Sequence, residues 1–270
     1  MIRSAVTISL VEEARGGPFV YWHDLAGACA KAKHLGFDAV ELFAPGPDAV
    51  DRATLQTVLD DNGLSLAAVG TGAGWVKHRW HLTLPDPAMR ARARDFIRAM
   101  IDFGGALGAP AIIGSMQGRS GEGIDHGTAN GCLITALDDL GDHAAQHGVP
   151  LLFEPLNRYE TNLVNTIEAG LALIKNTCPN IKLLADLFHM NIEEADITDA
   201  LRRGGPQIGH LHYVDSNRRP AGCGHIDYAP IVAALRGIDY GGYASAEALP
   251  YPDPDGAAAR TMAAFKSHFA

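Results

Sequence analysis

The sequence predicts an α/β protein, a (β/α)8 barrel in which eight parallel strands alternate with helices around one closed sheet. The chain has 270 residues, and a barrel of this kind typically takes ~250 residues. Short apolar runs that end in glycine or a polar residue alternate with longer segments in which apolar residues recur at helical spacing. No linker or change in composition divides the chain, so we expect residues 1–270 to form a single domain.

Eight apolar runs carry the strand prediction, and each has the length of a buried parallel strand. In chain order they are Val6–Leu10, Ala39–Phe43, Leu66–Gly70, Ala111–Ser115, Leu151–Glu154, Leu183–Asp186, Ile208–His212 and Tyr243–Glu247. Parallel strands need crossover connections, and the helical segments between the runs supply them. Because the repeating units are nearly equal in size, a closed barrel is favoured over an open doubly wound sheet, which is the alternative architecture.

Helical spacing of apolar residues fills the segments between most of the runs. The first of these segments is typical, because Asp24 is placed to cap its amino end and Gly36 to end it. The segments with this spacing are Leu25–Leu35, Leu55–Leu59, Phe96–Leu107, Leu133–Ala144, Ile167–Ile174, Ile231–Leu235 and Met262–Phe265.

Composition and charge exclude several classes of protein. With 47% hydrophobic and 20% charged residues, the chain has an ordinary globular composition. Its net charge of −9 argues against a nucleic-acid partner. No apolar stretch approaches the ~18 residues of a membrane span, so no membrane partner is expected. The four cysteines are far apart, which favours reduced thiols and a cytoplasmic protein.

The carboxyl ends of the strands are where a barrel holds its reacting groups. The fifth to eighth predicted strands each end in a residue that can bind a metal: Glu154, Asp186, His212 and Glu247. Neighbouring strands lie ~4.8 Å apart, so these side chains can converge. Three oxygen donors and one nitrogen suit Mn²⁺, Mg²⁺ or Co²⁺, and we expect one such cation. The alternative for each carboxylate is a helix cap, and for the histidine a hydrogen-bonded core position.

Glu154 and Glu247 come from the fifth and eighth strands, so they should approach a bound substrate from different sides. Two carboxylates with a Lewis acid between them suit proton abstraction next to a carbonyl group, through a cis-enediolate. If one removes the proton and the other returns one from the opposite face, that carbon is inverted. These groups therefore predict an epimerase that inverts a carbon next to a carbonyl group. An aldose–ketose, hydroxypyruvate or inosose isomerase needs the same groups and is the alternative.

Further polar residues follow the same strand ends. Glu160, His189 and Arg218 are placed to hydrogen-bond a polyhydroxylated substrate, although loop and helix-cap contacts are the alternative explanation. Glu41, in the second predicted strand, either faces the site or caps a loop.

The second half of the chain carries four ordered motifs. They are Glu154-Pro-Leu-Asn-Arg-Tyr-Glu160, Asp186-x-Phe-His-Met-Asn-Ile-Glu-Glu194, His210-x-His212 and Asp215-Ser-Asn-Arg218. They resemble the sugar isomerase/epimerase family with the xylose-isomerase-like TIM barrel, and within it the ketose 3-epimerases that act on D-tagatose or D-psicose.

The resemblance implies one Mn²⁺ or a similar ion, with the four strand-end residues as its ligands. It implies Glu154 and Glu247 as the acid/base pair, and it assigns the first oxygens of the sugar to Glu160, His189 and Arg218. It also implies a homo-oligomer, either a dimer or a tetramer.

One departure from the tagatose type concerns the substrate. Ala248-Leu249-Pro250 follows the last glutamate where Pro-Phe is usual, and the chain is more similar here to the 5-keto-gluconate (keto-uronate) epimerase branch. A substrate carboxylate needs a cation at the carboxyl face of the barrel. Lys77, Arg79 and Arg119 follow the third and fourth strands, and Arg119 is the predicted carboxylate-binding residue.

The sequence disfavours two other classes of function. The apurinic endonucleases share this barrel, but they need a multi-zinc cluster rich in histidine and a basic surface, unlike this acidic chain. A catalytically silent sugar-binding protein should have damaged ligands, whereas all four are present.

Overall fold

Eight parallel strands close into a barrel in this computed structural model, which describes residues 1–121 and 123–269. The first strand pairs with the last, and each of the others pairs with its neighbours in chain order. The closed (β/α)8 barrel predicted from the sequence is confirmed. The described sheet has nine strands, of which β2 pairs with β1 alone and the other eight form the barrel: β1 (Arg3–Ser9), β2 (Tyr21–Trp22), β3 (Ala39–Phe43), β4 (Ser65–Gly70), β5 (Ala111–Ile113), β6 (Leu151–Phe153), β7 (Ile181–Asp186), β8 (Ile208–His212) and β9 (Tyr243–Ala246).

The short strand β2 is the one described strand that the sequence analysis missed. It pairs in parallel with the carboxyl end of β1, at Ile8 and Ser9, whereas the amino-terminal half of β1 pairs with β9. Two residues are too few to show the alternation that marks a strand in a sequence. All eight predicted strands are present.

Ten α-helices are described, and most of them connect successive strands. The predicted ends of the first helix are confirmed: Asp24 accepts a hydrogen bond from the N–H of Gly27 at 2.9 Å, and Gly36 ends the helix with φ 91°. The helices are α1 (Leu25–Leu35), α2 (Arg52–Asn62), α3 (Ala73–His78), α4 (Pro87–Gly105), α5 (His126–Ala145), α6 (Ile167–Ile174), α7 (Leu187–Glu193), α8 (Ile197–Gly204), α9 (Tyr228–Gly237) and α10 (Pro254–Phe269).

Apolar side chains fill the space between the sheet and the helices, and a smaller cluster fills part of the barrel interior. That inner cluster takes one residue from each of four successive strands, namely Ala68, Ile112, Leu152 and Leu184. Polar residues at the strand ends therefore have an apolar layer beside them, and their charges are poorly solvated. Within the residues described, no helix combines the length and apolar character that crossing a bilayer requires.

Candidate metal centre and active site

Four side chains lie together at the carboxyl ends of the last four barrel strands. They are Glu154 after β6, Asp186 at the end of β7, His212 at the end of β8 and Glu247 after β9. One potential ligand atom from each lies within 4.8 Å of all the others. The side chains are 15% exposed or less. Three carboxylates and one imidazole around one point form a donor set that fits a divalent cation.

The Asp186 carboxylate divides its two oxygens between a helix and this site. Its Oδ1 accepts hydrogen bonds from the N–H groups of Phe188 at 2.7 Å and His189 at 3.2 Å, so it caps α7. Its Oδ2 lies 3.1 Å from Nδ1 of His212. The helix cap thus fixes the orientation in which the second oxygen faces the site.

Glu154 contributes a buried oxygen that lacks a hydrogen-bond donor. Among the residues described, none donates a hydrogen bond to its Oε1, which lies 3.4 Å from Nδ1 of His212. Burial raises the pKa of Glu154 to about 8; His212 opposes this shift, and the charges of Glu247 and Asp186 add to it. An unpaired buried oxygen carries a desolvation penalty, which a bound cation would remove. The residues present therefore fit the metal ion that the donor set indicates.

The second ring nitrogen of His212 is hydrogen-bonded to Glu41, on β3. Glu41 is 4% exposed; its Oε1 lies 3.2 Å from Nε2 of His212, and its Oε2 lies 2.8 Å from Nε2 of His210. An ionised carboxylate can only accept, so both Nε2 atoms carry hydrogen. Nδ1 of His212 then faces the other three site residues, at 3.1 to 3.5 Å from an oxygen of each. An outer carboxylate commonly fixes the tautomer of a metal-binding histidine in this way.

The buried side chain of Asp215 organises the loop after β8. Its carboxylate accepts hydrogen bonds from the N–H groups of Ser216 and Gly222, both at 2.8 Å, and of Ile226 at 3.2 Å. The loop turns through Arg218, which has a left-handed backbone with φ 58°. This local structure carries the Arg218 side chain back over the strand ends.

The guanidinium group of Arg218 is buried among the carboxylates of the site. It forms an ion pair with Glu247, lies 3.5 Å from Oδ2 of Asp186, and stacks over the ring of Phe188 at 4.7 Å. Burial opposes the positive charge, but the surrounding carboxylates, above all Asp186 and Glu247, raise the pKa of Arg218 above its ordinary value. Arg218 therefore stays charged and holds Glu247 in place.

His189 presents a hydrogen-bond donor toward the same point. Burial lowers the pKa of His189 to about 3, so the ring is neutral. Its Nδ1 lies 2.7 Å from Nδ2 of Asn157, which donates to it, so its hydrogen is on Nε2. Nε2 lies 3.1 Å from Nη1 of Arg218, and because a guanidinium can only donate, the Nε2–H and Nη1–H groups cannot bond each other. Two donors thus converge, and one substrate oxygen placed against them would accept from both.

Comparison with known proteins agrees with this architecture. Residues 29–268 match a family model described as the xylose isomerase-like TIM barrel. The chain belongs to this family. The resemblance expected from the motifs of the second half is confirmed.

Among its relatives in the xylose isomerase-like family are named sugar epimerases. The chain is 32% identical to a D-psicose 3-epimerase of Agrobacterium fabrum (strain C58), over 85% of this chain and 78% of that protein. It is 33% identical to an L-ribulose 3-epimerase of Methylomonas sp. (strain DH-1), over 80% of this chain and 75% of that protein. A solved structure of an L-ribulose 3-epimerase has a TM-score of 0.80 and 26% identity to this protein; the match covers 99% of this chain and 94% of that one. Epimerases are isomerases, so the predicted enzyme class is confirmed.

A cavity of about 320 Å³ opens over the strand ends, a size suited to a small molecule. Its lining includes the three residues predicted to bind substrate, Glu160, His189 and Arg218. Arg119 does not line this cavity. It lines an adjoining hollow of about 250 Å³, which shares Trp75, Ser115 and Glu160 with the main cavity.

Sequence reasoning left the role of Glu41 open and did not single out Arg15. Arg15 lies in the loop after β1, lines the main cavity, and donates hydrogen bonds to the Glu12 carboxylate at 2.7 and 2.9 Å. No motif marks Arg15, and its position after the first barrel strand was the one signal that could have drawn attention to it. For Glu41 the available signal was its place inside a buried strand, where a carboxylate needs partners.

Proposed function

We propose that this protein is a metal-dependent epimerase that inverts the carbon next to the ketone of a ketose or keto-uronate, through a cis-enediolate. The placement of Glu154 and Glu247 carries the proposal. They come from strands separated by two others, yet each has an oxygen within 3.5 Å of the same atom, Nδ1 of His212. Two carboxylates that reach one point from different directions suit removal of a proton from one face and its return to the other.

Glu154, Asp186, His212 and Glu247 would hold the ion, and we propose Mn²⁺, with Mg²⁺ or Co²⁺ as substitutes. When bound, a divalent cation stabilises the negative charge that develops on substrate oxygens. Glu154 and Glu247 exchange the proton with the carbon next to the ketone. The converging donors of His189 and Arg218, together with Glu160, hold the first oxygens of the sugar, so that this carbon lies between the two glutamates.

Isotope exchange separates the epimerase from its alternatives. Chelator-treated protein, reloaded with Mn²⁺, Mg²⁺ or Co²⁺, is incubated in D₂O with ketoses, keto-uronates and inososes, and the products are separated and analysed by NMR. We expect deuterium at the inverted carbon of a product that keeps its ketone. Deuterium at the neighbouring carbon of an aldose would instead identify an isomerase and contradict the proposal.

The acid/base pair is tested by Glu154→Gln and Glu247→Gln. Each should lower the exchange rate by about 10² or more, the contribution of a positioned acid or base. Glu193→Gln is a matched control, because that side chain is 7% exposed and pairs with Arg158 at 2.9 Å. Full exchange in either site variant would contradict the assignment.

We further propose that Arg119 recognises a substrate carboxylate. The other two predicted cations are engaged elsewhere: Nζ of Lys77 lies 3.5 Å from a carboxylate oxygen of Glu13, and Arg79 stacks on Trp75 at 4.9 Å. Arg119 is exposed at the hollow beside the main cavity and forms no ion pair with the residues described, 1–121 and 123–269.

The test compares kcat/KM for a ketose and for its uronate. Arg119→Ala should cost about 10-fold or more on the uronate, the value of a charge-assisted hydrogen bond, and little on the ketose. Arg79→Ala serves as the control. Equal losses on both substrates would contradict a carboxylate clamp, and a uronate-specific loss in Arg15→Ala alone would assign that role to Arg15.

We also propose that the enzyme acts in the cytoplasm as a homo-oligomer, either a dimer or a tetramer. All four cysteines are free, in keeping with a reducing compartment. Light scattering on the purified protein tests the assembly, and a monomer at micromolar concentration would contradict it.

A further inference from the structure

Three side chains that can bind a metal meet on the outer helices, away from the site described above. Nε2 of His143 lies 2.6 Å from Oδ1 of Asp102, and Nε2 of His147 lies 2.8 Å from the same oxygen. One potential ligand atom from each of the three lies within 4.8 Å of the other two. Both imidazoles therefore direct Nε2 at one carboxylate oxygen.

The packing of α4 against α5 creates this cluster. Asp102 lies in the last turn of α4, His143 in the last turn of α5, and His147 four residues further on. Gly105 makes the approach feasible, since a Cβ on it would lie 2.5 Å from Cγ of His147. The cluster stands just before β5 and β6 begin, so it lies at the amino ends of the strands, opposite the Glu154 site.

We propose that Asp102, His143 and His147 form a second, mononuclear site that binds Zn²⁺. Two nitrogens and one carboxylate oxygen suit zinc, whereas the oxygen-dominated set at the strand ends suits harder cations. Three protein ligands leave a zinc ion at least one further position, and Asp102, with 49% of its side chain exposed, leaves that position open to water.

Zinc at this position replaces hydrogen bonds that the three residues already make. Each imidazole now directs Nε2 at the Asp102 oxygen, and a neutral ring that moves its hydrogen to Nδ1 presents the Nε2 lone pair to the metal. The bound ion would join α4 to α5. Zinc binding should therefore raise the unfolding temperature as well as add one metal equivalent.

The proposal is tested by counting the zinc ions bound per molecule of the whole chelator-treated protein. Equilibrium dialysis at zinc concentrations near that of the protein gives this number. We expect two equivalents in the wild type and one in His143→Gln or Asp102→Asn. His34→Gln is the control, since His34 also lies in the last turn of a helix, and it should keep two. A titration with Mg²⁺ should show no binding at the second site.

The outcomes distinguish this site from the catalytic one. Either variant should keep the wild-type rate of any reaction supported by Mn²⁺, while its zinc-dependent rise in unfolding temperature shrinks. Circular dichroism checks that both variants fold. The proposal would be overturned if the wild type bound one equivalent of zinc, or if both variants bound two. It would also be overturned if His34→Gln lost one zinc equivalent as the two variants do.

Discussion

Replacing Glu41 by glutamine tests whether this residue positions the metal-binding histidine. The carboxylate now accepts from Nε2 of His212 at 3.2 Å and from Nε2 of His210 at 2.8 Å, in an environment where it is 4% exposed. Glutamine has nearly the same shape, but one of its two terminal atoms is a donor. It can therefore accept from only one of the two histidines.

The expected cost falls on the metal-bound state. Without metal, His212 can move its hydrogen to Nδ1 and accept from the new amide. With metal, Nδ1 must supply its lone pair, so Nε2–H is opposed by the amide NH₂ and one buried donor stays unsatisfied. Such a donor costs about 1–3 kcal/mol. Since about 1.4 kcal/mol is tenfold in affinity, the metal dissociation constant should rise about 5- to 140-fold.

Calorimetric titration of Mn²⁺ into chelator-treated protein measures this change. In Glu41→Gln, His210 could move its hydrogen to Nδ1 and accept from the amide NH₂, which would leave the amide oxygen for His212. Glu41→Ala removes both acceptors, so it should weaken binding at least as much even in that case. Glu193→Gln makes the same substitution at a similarly buried carboxylate that pairs with Arg158, and it should leave the affinity unchanged. If folded Glu41→Gln and Glu41→Ala both bind Mn²⁺ within twofold of the wild type, the reasoning is refuted.

Three further predictions concern the same site. Asp186→Asn should keep a capping oxygen for α7 but lower Mn²⁺ affinity at least about 10-fold in calorimetry, and unchanged affinity would contradict a ligand role. In Gly114→Ala, the added Cβ would collide with Oε2 of Glu154, so metal affinity and exchange activity should both fall. Gly131→Ala is the control and should retain both, because a Cβ on Gly131 would have no atom within 4 Å. Because the pKa of Glu154 is raised to about 8, this group is protonated below that pH and the proton competes with the metal. Mn²⁺ affinity should therefore rise from pH 6 to pH 8 with proton release near pH 7, and a flat profile would disprove the coupling.

The strand ends could be predicted from the sequence because their signal is local. An apolar run that stops at a carboxylate or an imidazole identifies one ligand position, and the barrel topology places all such positions at one face. This local signal predicts Glu154 and His212. Contacts that depend on barrel closure have no local signal in the sequence, and Glu41 and His210, for example, are 169 residues apart. The register of the closed sheet determines which inward-facing side chains lie at the same height along the barrel axis and touch. Helix packing likewise sets the approach of Asp102 to His143.

Asp186 shows why a helix cap and a metal ligand need not be alternatives. The sequence pattern is compatible with either role, but the residue uses Oδ1 for the cap and directs Oδ2 at His212. The N–H groups at the start of α7 hold one oxygen, and this restricts the rotation that would otherwise let the other oxygen leave the site. Asp215 acts similarly for Arg218, because its backbone contacts fold the loop that carries the guanidinium. Local structure in the second half of the chain thus orients the site, whereas Glu41, from the first half, fixes the proton on its histidine.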